Sequence, residues 1–305
     1  MSVTKEEILL KYRVTAFLGG GMEAQAYACE YDRVLKLYNN TTNIHDLLIL
    51  EAFYKSLPRD VLSYRLPQIE WIVQEGDYLL TIEQRLPGVP MASKLTGLDA
   101  MQFETMMRRY IEAAYELSTL HALRDPDRYK LFDPHNLSVG GDWHQFLRRF
   151  MDFKLQQITV HLKRDVENLN IKIQQLEGVL AMPYQGDYCV VHGDFFPGNV
   201  LVDGNGKVMA LIDFGLFTMY GDALFDIATG WVFFDMYDAL DLNARERLLS
   251  IIIEKLGEQV RSRLYLYVLL YSLLSANTYS PECADGHYGW CVANLNMQIY
   301  WDGLA

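Results

Sequence analysis

The sequence predicts an α+β protein in two parts: a small strand-rich N-terminal lobe over residues 1–86 and a larger, mainly helical C-terminal lobe over residues 87–305. Three observations carry this. Apolar residues alternate with a period of two through the first eighty residues, broken by glycine turns. From residue 99 onward most of the chain keeps apolar positions at helical spacing. At 305 residues, half of them hydrophobic, the chain is long for one simple core.

Residues 12–38 read YRVTAFL, then GGG, then AYACEYDRVLKLY, which predicts strands around a glycine-rich turn. NIHDLLILEAFYKSL, residues 43–57, has helical spacing with Asn43 as N-cap. PQIEWIVQ and YLLTIEQRL flank Glu75-Gly76-Asp77 and predict a hairpin. Pro87-Gly88 then interrupts the pattern. Residues 99–123 predict a helix, and 143–180 one long or two paired amphipathic helices with Gly178 near the end. Two short strand regions follow, YCVVH and VLVDGNGKVMALID, the second folded on Asp203-Gly204-Asn205-Gly206. Residues 223–305 return to helix, rich in aromatics and methionine.

Composition excludes several classes. A net charge of −12 argues against nucleic acid as partner, because phosphate backbones require lysine and arginine stripes. No apolar run reaches transmembrane length, and MSVTKEEILLKYRV lacks the apolar core of a signal peptide. Cys29, Cys189, Cys283 and Cys291 are scattered without a CxxC pair, so free thiols in a reducing cytoplasm are expected. Residues 182–305 hold 6 basic and 15 acidic residues, −9 of the net −12. That excess would steer a cationic substrate, or is ordinary solubility charge.

The chemistry gathers in VVHGDFFPGNV, residues 190–200, and LIDFG, residues 211–215. Asp194 and Asn199 are five residues apart on a loop whose Pro197-Gly198 disfavours helix, and Asp213 ends the apolar strand across the hairpin. One group to accept a proton and two to hold a divalent cation are the minimum for moving a phosphoryl group onto an alcohol. HxDxxxxN followed by DFG is the spacing of the protein-kinase catalytic loop, with Gly193 where protein kinases usually carry arginine. Upstream, Gly19, Gly20 and Gly21 offer bare backbone to phosphate, and Lys36 in VLKLY follows on a strand as a phosphate contact. Glu51 on the next helix is expected to pair with Lys36, and Glu83, Gln84 and Arg85 to join the lobes and offer backbone groups to adenine.

GGGMEAQAY, VLKLY, LEAFYKSL, HGDFFPGNVLVDG, ALIDFG and GDALFDIAT resemble the aminoglycoside phosphotransferase family of kinase-like enzymes, which includes choline and homoserine kinases. The resemblance implies a two-lobed protein-kinase-like fold, ATP or GTP as donor, and Mg²⁺. It makes Asp194 the catalytic base, Asn199 and Asp213 the metal ligands, and Lys36 the phosphate contact. Asp226 in GDALFDIAT is expected to tie down the catalytic loop, and His192 to be structural.

The expected reaction is transfer of the γ-phosphate to a hydroxyl of a small molecule, with an aminoglycoside or other amine-bearing alcohol as one acceptor class. A homoserine- or choline-type metabolite kinase, a non-catalytic nucleotide-binding protein and a protein kinase are the alternatives; GDALFDIAT in place of an APE-like segment counts against the last. Asp222, Asp235, Asp238 and Asp241, interleaved with Trp231, Phe233, Phe234 and Tyr237, would suit an amine through charge and cation–π attraction. The plainer reading of WVFFDMYDALDL is a helix with an apolar core face and a solvated acidic face.

Overall fold

The computed structural model describes residues 3–21, 23–39, 42–121, 128–234 and 243–304. It divides into two compact units, Met1–Val89 with Leu201–Asp213, and Pro90–Val200 with Phe214–Ala305. The sequence suggested a single cut after residue 86; the fold instead returns a late hairpin to the first unit.

The first unit is built on β1 (Val14–Gly20), β2 (Ala24–Cys29), β3 (Arg33–Tyr38), β4 (Ile69–Glu75) and β5 (Tyr78–Gln84). They form one antiparallel sheet in the order β1-β2-β3-β5-β4. Tyr31 and Asp32 take positive φ values of 62° and 53°, which turns AYACEYDRVLKLY back on itself as a β2–β3 hairpin. The helix α1 (Lys5–Lys11) was not anticipated, although Thr4 and Glu7 make a reciprocal capping box at its start. Its Ile8 is buried with Tyr27, Leu35, Leu37, Leu80 and Ile82. The strand period of two then turns Lys36 and Tyr38 to the opposite face. The helix α2 (Ile44–Ser56) starts at Asn43, whose side chain accepts from the Asp46 N–H, and buries Leu47, Leu50, Phe53 and Tyr54.

The short strand β6 (Val89–Pro90) ends this stretch. Late in the chain, β8 (Val200–Val202) and β9 (Val208–Leu211) are joined by the expected turn, where Asp203 N–H donates to Lys207 O. Arg65 binds this hairpin through its backbone, donating to Met209 O at 2.9 Å and accepting from Leu211 N–H at 3.0 Å. Gly88 cannot be replaced cheaply: its φ is +107°, and a Cβ there would lie 2.9 Å from Val202 O.

The second unit is mainly helical: α3 (Ala100–Leu117), α4 (Trp143–Asp165), α5 (Leu169–Leu180), α6 (Leu224–Phe233), α7 (Ala244–Leu256), α8 (Arg261–Ser275), α9 (Gly286–Asn296) and α10 (Gln298–Asp302). Residues 143–180 are thus two helices, separated where Asn168 takes a φ of 53°. The helix α8 is apolar on all sides and buried from Leu264 through Ser275, the pattern of a central helix. Two short strands, β7 (Cys189–Val191) and β10 (Met219–Gly221), pair antiparallel and present the loop that follows β7. All four cysteines are buried free thiols. Among the described residues, no helix is long and apolar enough to cross a membrane.

Candidate active site

Within the first unit, strand register builds a charged cluster. Lys36 on β3 sits opposite Thr81 on β5, so Glu83, two residues on, is its diagonal neighbour on the same face. Lys36 Nζ lies 3.6 Å from Glu83 Oε2 and 2.9 Å from Asp213 Oδ1. Thr81 Oγ1 donates to Glu83 Oε1 at 3.0 Å. Burial works against the charge on Lys36, but Asp213 and Glu83 outweigh it and hold its pKa well above the ordinary lysine value. Burial raises the Glu83 pKa, offset in part by Lys36 and by Thr81. Asp213 is half-exposed and takes a φ of 64°, a left-handed conformation that aspartate tolerates better than most residues.

The expected pairing of Lys36 with Glu51 is corrected by this geometry. Glu51 Oε1 pairs instead with Lys55 at 2.9 Å, one turn along α2. The physical reason is that β3 and β5 are adjacent strands, so a carboxylate on β5 reaches Lys36 directly, and the helix carboxylate finds its i,i+4 partner. Glu83 therefore contributes a buried side chain rather than only the backbone groups expected of it. Arg85 N–H, also expected to face adenine, donates to Asp32 O at 2.8 Å. At the glycine turn, a Cβ on Gly19 or Gly21 would meet no described atom within 4 Å, which leaves this backbone open to approach.

Within the second unit, the HGDFFPGN loop is held from several sides. Asp226, 1% exposed at the start of α6, accepts His192 N–H at 2.6 Å and Gly193 N–H at 2.8 Å. This is the tie expected of it. Burial raises the Asp226 pKa to about 7, although both N–H donors pull it down. Buried His192 accepts the Asp194 N–H at Nδ1, 3.2 Å, so its ring proton sits on Nε2. Thr218 Oγ1 donates to His192 O at 3.2 Å and accepts Gly215 N–H at 2.8 Å, linking the His-Gly-Asp loop to the glycine of Asp-Phe-Gly.

Asn199 fixes the loop's carboxylate. Its Nδ2 donates to Asp194 O and to Asp194 Oδ2, both at 3.0 Å. Two acceptors on one side require the amide nitrogen there, so the amide oxygen is left as the outward acceptor. The oxygens of Asn199 and Asp213 are the hard donors that suit Mg²⁺.

The acceptor-side aromatics named from the sequence are core residues: Trp231, Phe233 and Phe234 are each at most 2% exposed. Asp222 is buried too, accepting Tyr267 Oη at 2.7 Å and Arg263 Nη1 at 3.1 Å. Asp235, Tyr237, Asp238 and Asp241 lie outside the described residues.

A small antiparallel-sheet lobe carrying a lysine–carboxylate cluster, with a mainly helical lobe carrying a tied His-Gly-Asp loop, defines a kinase-like fold. Residues 14–266 match the phosphotransferase enzyme family, and the chain belongs to it. Its fold is shared by the GDP complex of wild-type aminoglycoside 2'-phosphotransferase-IIIa, with a TM-score of 0.63 and 13% identity over 94% of this chain and 96% of that one. APH(2")-IIa, solved in complex with gentamicin, gives a TM-score of 0.60 and 16% identity over 97% of each chain. At such identities the likeness is one of fold. Protein kinase gsk31 of Schizosaccharomyces pombe is 27% identical over 150 residues, 47% of this chain; the match spans 37% of that protein's length.

Proposed function

We propose that this chain transfers the γ-phosphate of ATP or GTP to a hydroxyl of a small molecule, with Asp194 as the base that takes the hydroxyl proton. The observation that carries this reading is the hold on Asp194: Asn199 donates to its backbone and carboxylate oxygens, while Asp226 anchors the two residues before it. A base held in one position is what a reaction governed by positioning and charge neutralisation requires. Lys36, kept charged between Glu83 and Asp213, is the phosphate contact in this reading. Asn199 and Asp213 are the residues that would hold Mg²⁺, which when bound neutralises charge on the phosphate oxygens. Fold relatives solved with GDP, ADP, gentamicin and streptomycin support a nucleotide donor and a small hydroxylated acceptor.

The test is nucleotide turnover with Mg²⁺ against a panel of alcohols. Asp194→Asn is expected to lower acceptor-dependent turnover by about 10²–10⁴, the usual worth of general-base help, while nucleotide still binds. Near-wild-type turnover in that variant would remove Asp194 from the role. Asp213→Ala is expected to abolish the Mg²⁺ dependence of nucleotide binding, and an unchanged titration would count against it.

A further inference from the structure

The second unit holds two lysines, Lys130 buried and Lys154 half-buried, that phosphotransfer, as assigned above, does not use. Residues 129–131 run beside β10: Leu131 N–H donates to Thr218 O at 2.9 Å, Tyr220 N–H donates to Tyr129 O at 3.0 Å, and Lys130 bridges to Met219. Met219 pairs in turn with Val191, three residues before Asp194. Lys130 is only 7% exposed. Its Nζ lies 4.6 Å from the ring centre of Phe150 and 5.9 Å from that of Phe217. Among the described residues no carboxylate lies within ion-pair distance of it. Asp133, the acid whose charge it feels, already accepts Leu137 N–H at 2.9 Å and Ser138 N–H at 2.7 Å.

Lys154 follows Phe150 by one turn of α4, on the same face. Its Nζ donates to Asn277 Oδ1 at 2.7 Å, and it too has no carboxylate partner among the described residues. The charge of Lys154 reaches Lys130. Burial first, then the charge of Lys154, brings the Lys130 pKa down to about 8.

The pair is connected to the catalytic loop by aromatic contact. Phe217 lies 5.7 Å from Tyr271, ring centre to ring centre, and the Tyr271 phenol, its pKa raised mainly by burial, also feels the charge of Asp194.

A buried ammonium without a counter-charge is costly, and a second one beside it adds to the cost. Aromatic faces offset only part of this, about 0.5–2 kcal/mol each. Among the described residues, no acidic side chain lies within ion-pair distance of either lysine, in a chain with 39 acidic residues and 27 basic ones. What would compensate both is an anion.

We infer that Lys130 and Lys154 form an oxyanion site in the second unit, and that it takes a carboxylate or phosphate group carried by the acceptor alcohol. The word acceptor rests on the phosphotransfer reading; the anion site itself does not. The acceptor is thereby an anionic alcohol rather than the amine-bearing one suggested by the acidic C-terminal composition.

Calorimetric titration of the full chain with Mg²⁺ and ADP present tests this, using D-gluconate and glycerol 3-phosphate as probes and glycerol and kanamycin as neutral and cationic controls. Binding of either anion, with affinity reduced about tenfold or more by Lys130→Met or Lys154→Gln and ADP affinity unchanged, is the expected result; a tenfold loss corresponds to about 1.4 kcal/mol. Gluconate binding identifies a carboxylate site and glycerol 3-phosphate binding a phosphate site. Binding of neither anion, equal affinities in wild type and both variants, or a preference for kanamycin would overturn the inference. Lys154→Gln replaces a partly exposed side chain, so the test survives a folding defect in Lys130→Met. Turnover is read separately: anion binding that depends on the lysines, without turnover of any alcohol, supports the site and counts only against phosphotransfer.

Discussion

Lys36 is held by two carboxylates, Glu83 and Asp213, while Glu51 on α2 pairs elsewhere. The motif VLKLY identified the lysine, and DFG identified Asp213, because both are local patterns. The partner was misassigned because strand pairing is not local: β3 pairs with β5, more than forty residues on, and only that register sets Glu83 diagonal to Lys36. The two candidate carboxylates therefore differ in consequence. Glu83 is buried against a lysine and a threonine hydroxyl, whereas Glu51 makes an i,i+4 pair with a largely exposed Lys55. Removing a hydrogen-bonded charged group costs roughly 1.5–3 kcal/mol, and an exposed helix pair about 0.3–0.5 kcal/mol. Glu83→Gln is expected to lower nucleotide affinity or turnover by about ten- to a hundredfold, while Glu51→Gln stays within about twofold. Equal effects of the two variants would return Glu51 to the pairing role.

At the scale of elements, the His-Gly-Asp loop is a segment held from outside itself. Asp226 anchors it from α6, and Gly193 is required by its packing: φ is +79°, and a Cβ would fall 1.8 Å from Phe217 O. That explains a glycine where protein kinases usually carry arginine. Gly193→Ala must shift the backbone and is expected to cost at least about 1–3 kcal/mol in urea unfolding. Asp226→Asn keeps one acceptor and leaves a buried N–H facing an amide group, a loss of about 1–3 kcal/mol at acid pH. The pH dependence follows from the raised pKa. Asp226 titrates near 3.8 in the unfolded chain and at about 7 when folded, because it is buried with no cation partner among the described residues. The folded state thus binds more protons between those values, so this group's contribution to stability is full at acid pH and lost as pH rises through about 7. Wild type should lose stability more steeply than Asp226→Asn between pH 5 and pH 8; parallel slopes would refute the assignment. Other elements were legible to differing degrees. Asn43 marked the start of α2, but the same kind of signal at Thr4 and Glu7 passed unnoticed before α1, and the three-residue β10 is too short for its periodicity to show.

Over the whole molecule, composition and fold carry different information. The last 124 residues hold most of the negative charge, which suits a cationic partner or is ordinary solubility charge. Composition does not say which charges are exposed: Lys130, buried, and Lys154, half-buried, come from the charge-balanced middle of the chain. Domain assignment was limited in a similar way. A sequence is read in order, but the first unit is discontinuous, Met1–Val89 completed by Leu201–Asp213. The hairpin supplies both backbone partners of Arg65, the Val202 backbone against which Gly88 packs, and the Asp213 carboxylate on Lys36. Residues 1–89 expressed alone would expose these groups to water and leave Lys36 with Glu83 as its single carboxylate. Two lost backbone hydrogen bonds at about 0.5–1.5 kcal/mol each, together with the lost ion pair, are a large share of the stability available to a unit of this size. The fragment is therefore expected to melt less cooperatively than the corresponding residues in the full chain, with early hydrogen exchange at the Arg65 and Lys36 amides. Full-chain protection at both positions in the isolated fragment would show that residues 1–89 complete their own fold and that the hairpin belongs to the first unit by proximity alone.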